Sequence, residues 1–149
     1  MADKQNAQSI TLIIDSRLDN VPLVGTTVRA ICEYLSIEKI DTYHLELCAV
    51  EAVNNVIKHA YASNPGYSVE MSIALIGGMI SFRISDMGKQ MDLKKHHTLD
   101  FEPENTQALP EGGMGLFLIH SLMDEVAYEK VGEKNILTLN KYLKASSSS

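Results

Sequence analysis

One stretch, SVEMSIALIGGMISFRIS at residues 68–85, restricts the fold more than any other part of the chain. Val69, Met71, Ile73 and Leu75 alternate with Ser68, Glu70, Ser72 and Ala74; Gly77-Gly78 follow, and then Ile80, Phe82 and Ile84 alternate with Ser81, Arg83 and Ser85. A period of two on each side of a glycine pair marks an antiparallel hairpin. Its faces differ, one apolar and one mostly polar, so a sheet built on it is covered on a single side, and helices must supply the cover.

Helical spacing lies upstream. SITLIIDS reads as a short strand, with Ile10, Leu12 and Ile14 alternating with Thr11 and Asp15. Residues 21–37 then place Val24, Val28, Ile31 and Leu35 on one side of a helix that begins near Pro22. Asp41 is the expected N-cap of a second helix, which runs to about Tyr61 and stops before Asn64, Pro65 and Gly66. Downstream of the hairpin, periodicity is lost from Met87 to about Gly112, a length typical of a lid, a binding loop or a disordered segment. GGMGLFLIHSLM opens a third helix, and DEVAYEKV and NILTLNKYL make two strands joined at Gly132-Glu133. The order β-α-α-β-β-loop-α-β-β predicts an α+β fold, a two-layer sandwich with a mixed, mostly antiparallel sheet covered on one face by about three helices.

With 149 residues, 45% of them hydrophobic, the chain supports one domain, read as residues 1–145, and KASSSS leads into a disordered tail at 146–149. A net charge of −6 opposes the phosphate attraction on which nucleic-acid binding depends, so no direct nucleic-acid partner is expected. Cys32 and Cys48 fall in apolar helical patterns without metal or disulfide spacing and read as small buried hydrophobes of a reducing cytoplasm. No apolar run reaches the roughly 18 residues needed to span a bilayer, so no membrane partner is expected.

Three constellations carry chemistry. On a helical wheel of about 100° per residue counted from Leu45, Cys48, Ala49, Ala52, Val53, Val56, Ile57 and Ala60 form the buried arc. Asn54 lies opposite it, near about 180°, whereas Glu51, Asn55 and His59 follow each other at i, i+4, i+8 along its border. A carboxylate and a carboxamide on such a border suit a general base and a neutral oxygen ligand for Mg²⁺, or simply a helix shoulder making ordinary hydrogen bonds. Asp86 has the strand parity of Ile80, Phe82 and Ile84 and so points to the covered side. Burial there calls for a hydrogen-bond donor, either a ligand amine or the backbone of its own turn, and Gly88 would let a flat ligand approach the chain. Finally, Gly112, Gly113 and Gly115 open a helix after the long loop, either as an anion site of exposed amides or as packing glycines. No Lys-Ser/Thr follows them, so this is not a Walker loop.

In this order, with EAVNNVIKHAY and GGMGLFLIHSLMDEV, the chain resembles the Bergerat-fold ATP-binding domains, and among them most closely the anti-sigma-factor serine kinases of bacterial partner-switching systems. The likeness runs from about Ile10 to Leu143. It implies ATP and Mg²⁺ as cofactors, Asn55 as the Mg²⁺ ligand, Glu51 as general base and His59 beside the phosphates. It also implies Asp86 as acceptor for the adenine amine with Gly88 beside it, Gly112, Gly113, Gly115 and Leu116 at the phosphate end, and an ATP lid over about 87–112. The activity so implied is phosphorylation of a serine on a STAS-type antagonist by a cytoplasmic homodimer that also holds a partner such as a sigma factor. A nucleotide-sensing module that gates protein association without phosphoryl transfer is the alternative. Gln90, Glu111 and Lys134-Asn135 depart from frequent family residues, a glycine, a lid arginine and Gly-Thr.

Overall fold

The computed structural model describes residues 8–91 and 113–144. Residues 92–112, with Lys94, Lys95, His96, His97, Glu111 and Gly112, lie outside the described residues, as does the tail at 146–149. In chain order the elements are β1 (Gln8–Asp15), a 3-10 turn (Leu18–Asn20), α1 (Val21–Tyr34), α2 (Lys39–Ala60), β2 (Ser68–Ile76), β3 (Met79–Asp86), α3 (Gly113–Leu122), β4 (Glu125–Val131) and β5 (Lys134–Tyr142).

The five strands form one sheet in the order β1-β2-β3-β5-β4. All four pairings are antiparallel, so the expectation of a mixed sheet is corrected. Two hairpins, β2-β3 and β4-β5, supply most of the sheet, and the return through α3 brings β5 onto β3 in the opposite sense. The hairpin turns fall at Gly77-Gly78 and Gly132-Glu133, where Gly77 and Gly132 have φ of +59° and +62°, a region glycine enters without steric cost.

Strand parity sets the core. Val69, Met71 and Ile73 of β2, Phe82 and Ile84 of β3, and Leu137 and Leu139 of β5 are buried under α2, whose Leu45, Cys48, Ala49, Ala52, Val53 and Ile57 are fully buried in return. The helix is therefore the central layer, with α1 packed on one flank and α3 on the other. On β1, an edge strand, only Ile14 is buried; Ile10 remains 46% exposed although it shares that parity, and lines with Ile31 and Tyr34 a cavity between the sheet and α1. Cys32 and Cys48 are buried free thiols, pushed up to about 11 and about 12 mainly by burial, as small core hydrophobes are.

Two helix boundaries differ from the sequence reading. Helix α1 ends at Tyr34, short of residue 37, because Ser36 enters the left-handed region at φ 58° and the chain closes on itself. The Ile37 N–H reaches the Cys32 carbonyl at 3.0 Å and the Ser36 N–H reaches that of Glu33 at 3.1 Å, a Schellman closure. Helix α2 starts at Lys39 with Glu38 as N-cap, so Asp41 is a first-turn residue instead of the cap. There a carboxylate complements the exposed amides of the helix start without bonding to one.

Candidate functional site

Helix α2 places its polar border where the wheel set it. Asn55 is 2% exposed, Asn54 and Glu51 are half-buried, and His59 is half-buried one turn further along. The buried Nδ2 of Asn55 has no hydrogen-bond partner among the described residues. An amide left in this condition in a packed interior costs free energy, and such groups call for a partner, whether water, a ligand or another part of the chain.

Helix α3 comes down on this border at its N-terminus. A Cβ built on Gly115 would stand 2.7 Å from Glu51 Oε2 and 3.0 Å from Asn55 Nδ2, so the glycine leaves room for the carboxylate and the amide where they stand. Residues 64 and 60 positions apart in sequence are thereby joined: the glycine-opened helix and the Glu51/Asn55 border are two walls of one place. Leu116, next in line, is 2% exposed and belongs to the core cluster, which fixes the seating of α3. Gly113 is the first residue of α3, and Gly112 precedes the described residues.

The other end of the site is built on the sheet. Asp86 closes β3, is 3% exposed and points to the covered side as its parity requires. Its donors, however, are supplied from within. The Gly88 N–H donates to Asp86 Oδ1 at 2.9 Å, and Asn135 Nδ2 donates to the same oxygen at 2.9 Å. Burial raises the Asp86 carboxyl above its ordinary range, and these two bonds oppose the rise. Ligand and turn readings thus coexist on one side chain, since both internal bonds fall on Oδ1.

Gly88 has a reason within the chain itself. A Cβ there would strike the Ala60 carbonyl oxygen and lie 2.8 Å from its carbon, so the glycine lets the turn cross the C-terminal end of α2. The Lys89 N–H then caps that same carbonyl at 3.0 Å. Lys89 and Gln90 are exposed beyond it.

Two further residues escaped the sequence reading, and a third, Asn135, entered it only as a departure from a frequent family residue. Asn135, 1% exposed, sits opposite Asp86 in the β3-β5 register and also donates to the Gly88 carbonyl at 3.0 Å. Tyr61, which follows α2, donates its hydroxyl proton to the Ser68 carbonyl and accepts from the Met87 N–H, both at 2.9 Å. Tyr128 accepts from the Met91 N–H at 2.9 Å and so tethers the start of the long loop. Burial pushes both phenols up from the ordinary tyrosine value. The parity of Tyr128 and the cross-strand place of Asn135 were the available signals, but each depends on a strand pairing that sequence does not print. Tyr61 carried no such pattern.

A cleft of about 630 Å³ opens beside this end, lined by His59, Tyr61, Tyr67, Met87 and Lys89 among others. The rings of Tyr61 and Tyr67 stack in it with centroids 4.7 Å apart.

Comparison with known proteins agrees with this fold. The family described as histidine kinase-like ATPase domain matches residues 14–141. The chain is 32% identical over 139 residues to the serine-protein kinase RsbW of Staphylococcus epidermidis, covering 91% of this chain and 87% of that one. It is 28% identical over 124 residues to the RsbW of Oceanobacillus iheyensis, covering 81% and 78%. Among solved structures, the RsbU and RsbW domains of a Mycobacterium tuberculosis protein superpose with a TM-score of 0.66 at 17% identity, over 91% of this chain and 32% of that one. The SiaB-SiaC complex from Pseudomonas aeruginosa matches with a TM-score of 0.61 at 13% identity, over 89% and 88%. At such identities these two structures show the fold.

Proposed function

This chain belongs to the histidine kinase-like ATPase family, and from that premise we propose that it is an ATP-dependent protein-serine kinase and anti-sigma-type regulator of a partner-switching system. The observation that carries the reading is the convergence of Gly115 on Glu51 and Asn55, which puts a carboxylate, a buried amide in need of a partner and a helix N-terminus within one contact distance. The residues fit the missing groups. Where Gly115 lacks a side chain there is a cradle that a Cβ would fill, and the Asn55 carboxamide, turned to present its oxygen, is a neutral ligand of the kind Mg²⁺ shares with phosphates. Among the described residues no three His, Cys, Asp or Glu side chains converge on a metal, and an ion that takes its other ligands from a triphosphate needs no such cage.

Bound Mg²⁺ supplies charge neutralisation along the triphosphate. The chain's own residues do the rest. Asp86 accepts from the adenine amine, Asn55 orients the phosphate end, His59 flanks it, and the amides at the start of α3, with Gly113 and Gly115, meet the phosphates. Glu51 takes the proton of the attacking hydroxyl, here a serine of a STAS-type antagonist. We place the kinase domain at residues 1–145 with the lid over about 87–112, and assign the protein to the cytoplasm; among the described residues no helix is long and apolar enough to cross a membrane. A homodimer belongs to the same reading; Ile13 (73%), Leu23 (64%) and Tyr34 (84%) are exposed apolar side chains on β1 and α1.

Incubation with Mg-ATP and the cognate antagonist should yield phosphoserine in the wild type and none in Glu51→Ala. Absence of transfer to a verified partner would reject the kinase reading in favour of a nucleotide-sensing module.

A further inference from the structure

Helix α2 carries an outward stripe that the nucleotide site does not use. Counted from Leu45 at about 100° per residue, Tyr43, Leu47, Ile40 and Glu51 fall within an arc of about 80° opposite the buried face. Ile40 is 55% exposed and Tyr43 61%, and Leu47 is half-buried. No charged residue of α2 falls in that arc before Glu51. A helix packed on a sheet ordinarily turns polar side chains to water, so an uncharged apolar stripe on this side marks a surface that meets something else.

The site has a direction along α2. Its Asp86 end lies at the C-terminus of the helix, where the Gly88 turn crosses the Ala60 carbonyl, and its Glu51 end lies against Gly115, about 14 Å back along the axis from Ala60. A nucleotide with its base at Asp86 and its phosphates at Asn55 therefore points its γ-phosphoryl group toward the N-terminal half of α2. Transfer is in line: the serine Oγ bonds to the γ-phosphorus on the side opposite the β,γ-bridging oxygen, that oxygen leaves with ADP and the bonding pair, and Glu51 takes the serine proton. The acceptor must enter from beyond Glu51, over residues 40–47, and this is where the exposed stripe lies.

We propose that Ile40, Tyr43 and Leu47 are the docking strip for the protein substrate, receiving an uncharged apolar surface beside the acceptor serine of the STAS-type antagonist. The inference rests on the kinase reading above. Continuity of the stripe with Glu51 selects this occupant. The nucleotide lies on the other side of Glu51, and a second copy of the chain held on the stripe would block the approach to the base in every turnover. A tyrosine flanked by two aliphatic side chains suits such a contact, because it supplies a large rigid area at low entropic cost.

The test is steady-state phosphorylation of a verified antagonist by the full chain, by Ile40→Ala/Tyr43→Ala and by Tyr142→Ala, whose tyrosine is 55% exposed on β5 in the sheet layer. The double variant is expected to raise KM for the antagonist at least tenfold, with kcat at saturation within threefold and calorimetric Mg-ATP affinity within twofold of wild type, and Tyr142→Ala to leave all three unchanged. A smaller rise in KM, a loss that falls on kcat or on Mg-ATP affinity instead, or an equal rise in Tyr142→Ala would overturn the proposal. Any of these in a chain that phosphorylates the antagonist sinks this inference alone, whereas wild type that binds Mg-ATP and transfers no phosphate sinks the kinase reading with it. If the double variant does not fold, Tyr43→Trp decides, since the chain has no other tryptophan. The emission of that variant should move to the blue when a tryptophan-free antagonist is added with Mg²⁺ and a non-hydrolysable ATP analogue, and an unmoved emission in a complex retained on size exclusion overturns the proposal.

Discussion

Replacing Gly115 with alanine separates catalytic geometry from folding. The new Cβ would stand 2.7 Å from Glu51 Oε2 and 3.0 Å from Asn55 Nδ2, where ordinary contacts begin at 3.4 Å. The nearer neighbour is the tip of a flexible side chain, so the fold accommodates the methyl group by moving the carboxylate back by about 0.7 Å, a displacement of the size that costs up to about a hundredfold in rate when it misplaces a catalytic group. Alanine meanwhile gains up to about 1 kcal/mol of helix propensity, which offsets the local crowding. The expected result is a thermal midpoint within about 4 °C of wild type and a kcat for phosphoryl transfer reduced about 10- to 100-fold, a barrier rise of about 1.4–2.7 kcal/mol. The assay is single-turnover transfer of labelled phosphate from Mg-ATP to the antagonist, with a melting curve on the same preparation. A kcat within twofold of wild type would refute the reasoning, and so would a collapse of the melting temperature, since the first denies the contact and the second makes it a folding contact.

Other substitutions test other parts of the site. Gly88→Ala meets the Ala60 carbonyl, which is backbone and cannot move aside, so the variant should lose about 1–3 kcal/mol in urea denaturation, unlike Gly115→Ala. Asp86→Asn keeps an acceptor for Gly88 and Asn135 but removes a buried charge. Because burial raises the folded-state carboxyl above its unfolded value, wild type gains stability as pH falls through that raised value and loses it as pH rises. Asp86→Asn should therefore be the more stable protein at neutral pH, with the difference vanishing below the ordinary carboxylate range, and it should not bind ATP; a pH-independent difference in denaturation midpoint would contradict this. Asn55→Ala should lose Mg-ATP binding in calorimetry while Asn54→Ala stays near wild type, and equal effects would show that the border of α2 is misassigned.

What the sequence revealed and what it hid divide along a physical line. Period-two alternation located β2 and β3 and put Asp86 on the covered side, and the period of 3.6 separated Asn55 from Asn54, because both patterns are local consequences of backbone geometry. Contacts made by chain crossing were not legible. Asn135 meets Asp86 only through a pairing 49 residues apart, and Gly115 meets Glu51 only because α3 docks on α2. The contact at Gly88 has the same origin: a glycine in a turn signals close approach, but that the chain's own helix end lies against it depends on tertiary placement. Asp41 in place of Glu38 as N-cap is a smaller case, since helix starts are shared among neighbouring residues and packing chooses between them.

The Tyr61 hydroxyl gives the molecule a timing property. The Met87 amide is held by the side chain of the residue that ends α2 instead of by a neighbouring strand, and the Met91 amide by Tyr128. Two phenols therefore hold the Met87 and Met91 amides, with the Lys89 amide on the Ala60 carbonyl between them. In hydrogen exchange the Met87 and Met91 amides should report separate openings, each slower than an exposed loop amide, and the slower of the two sets an upper limit on how fast the residues leading into the long loop detach from the sheet.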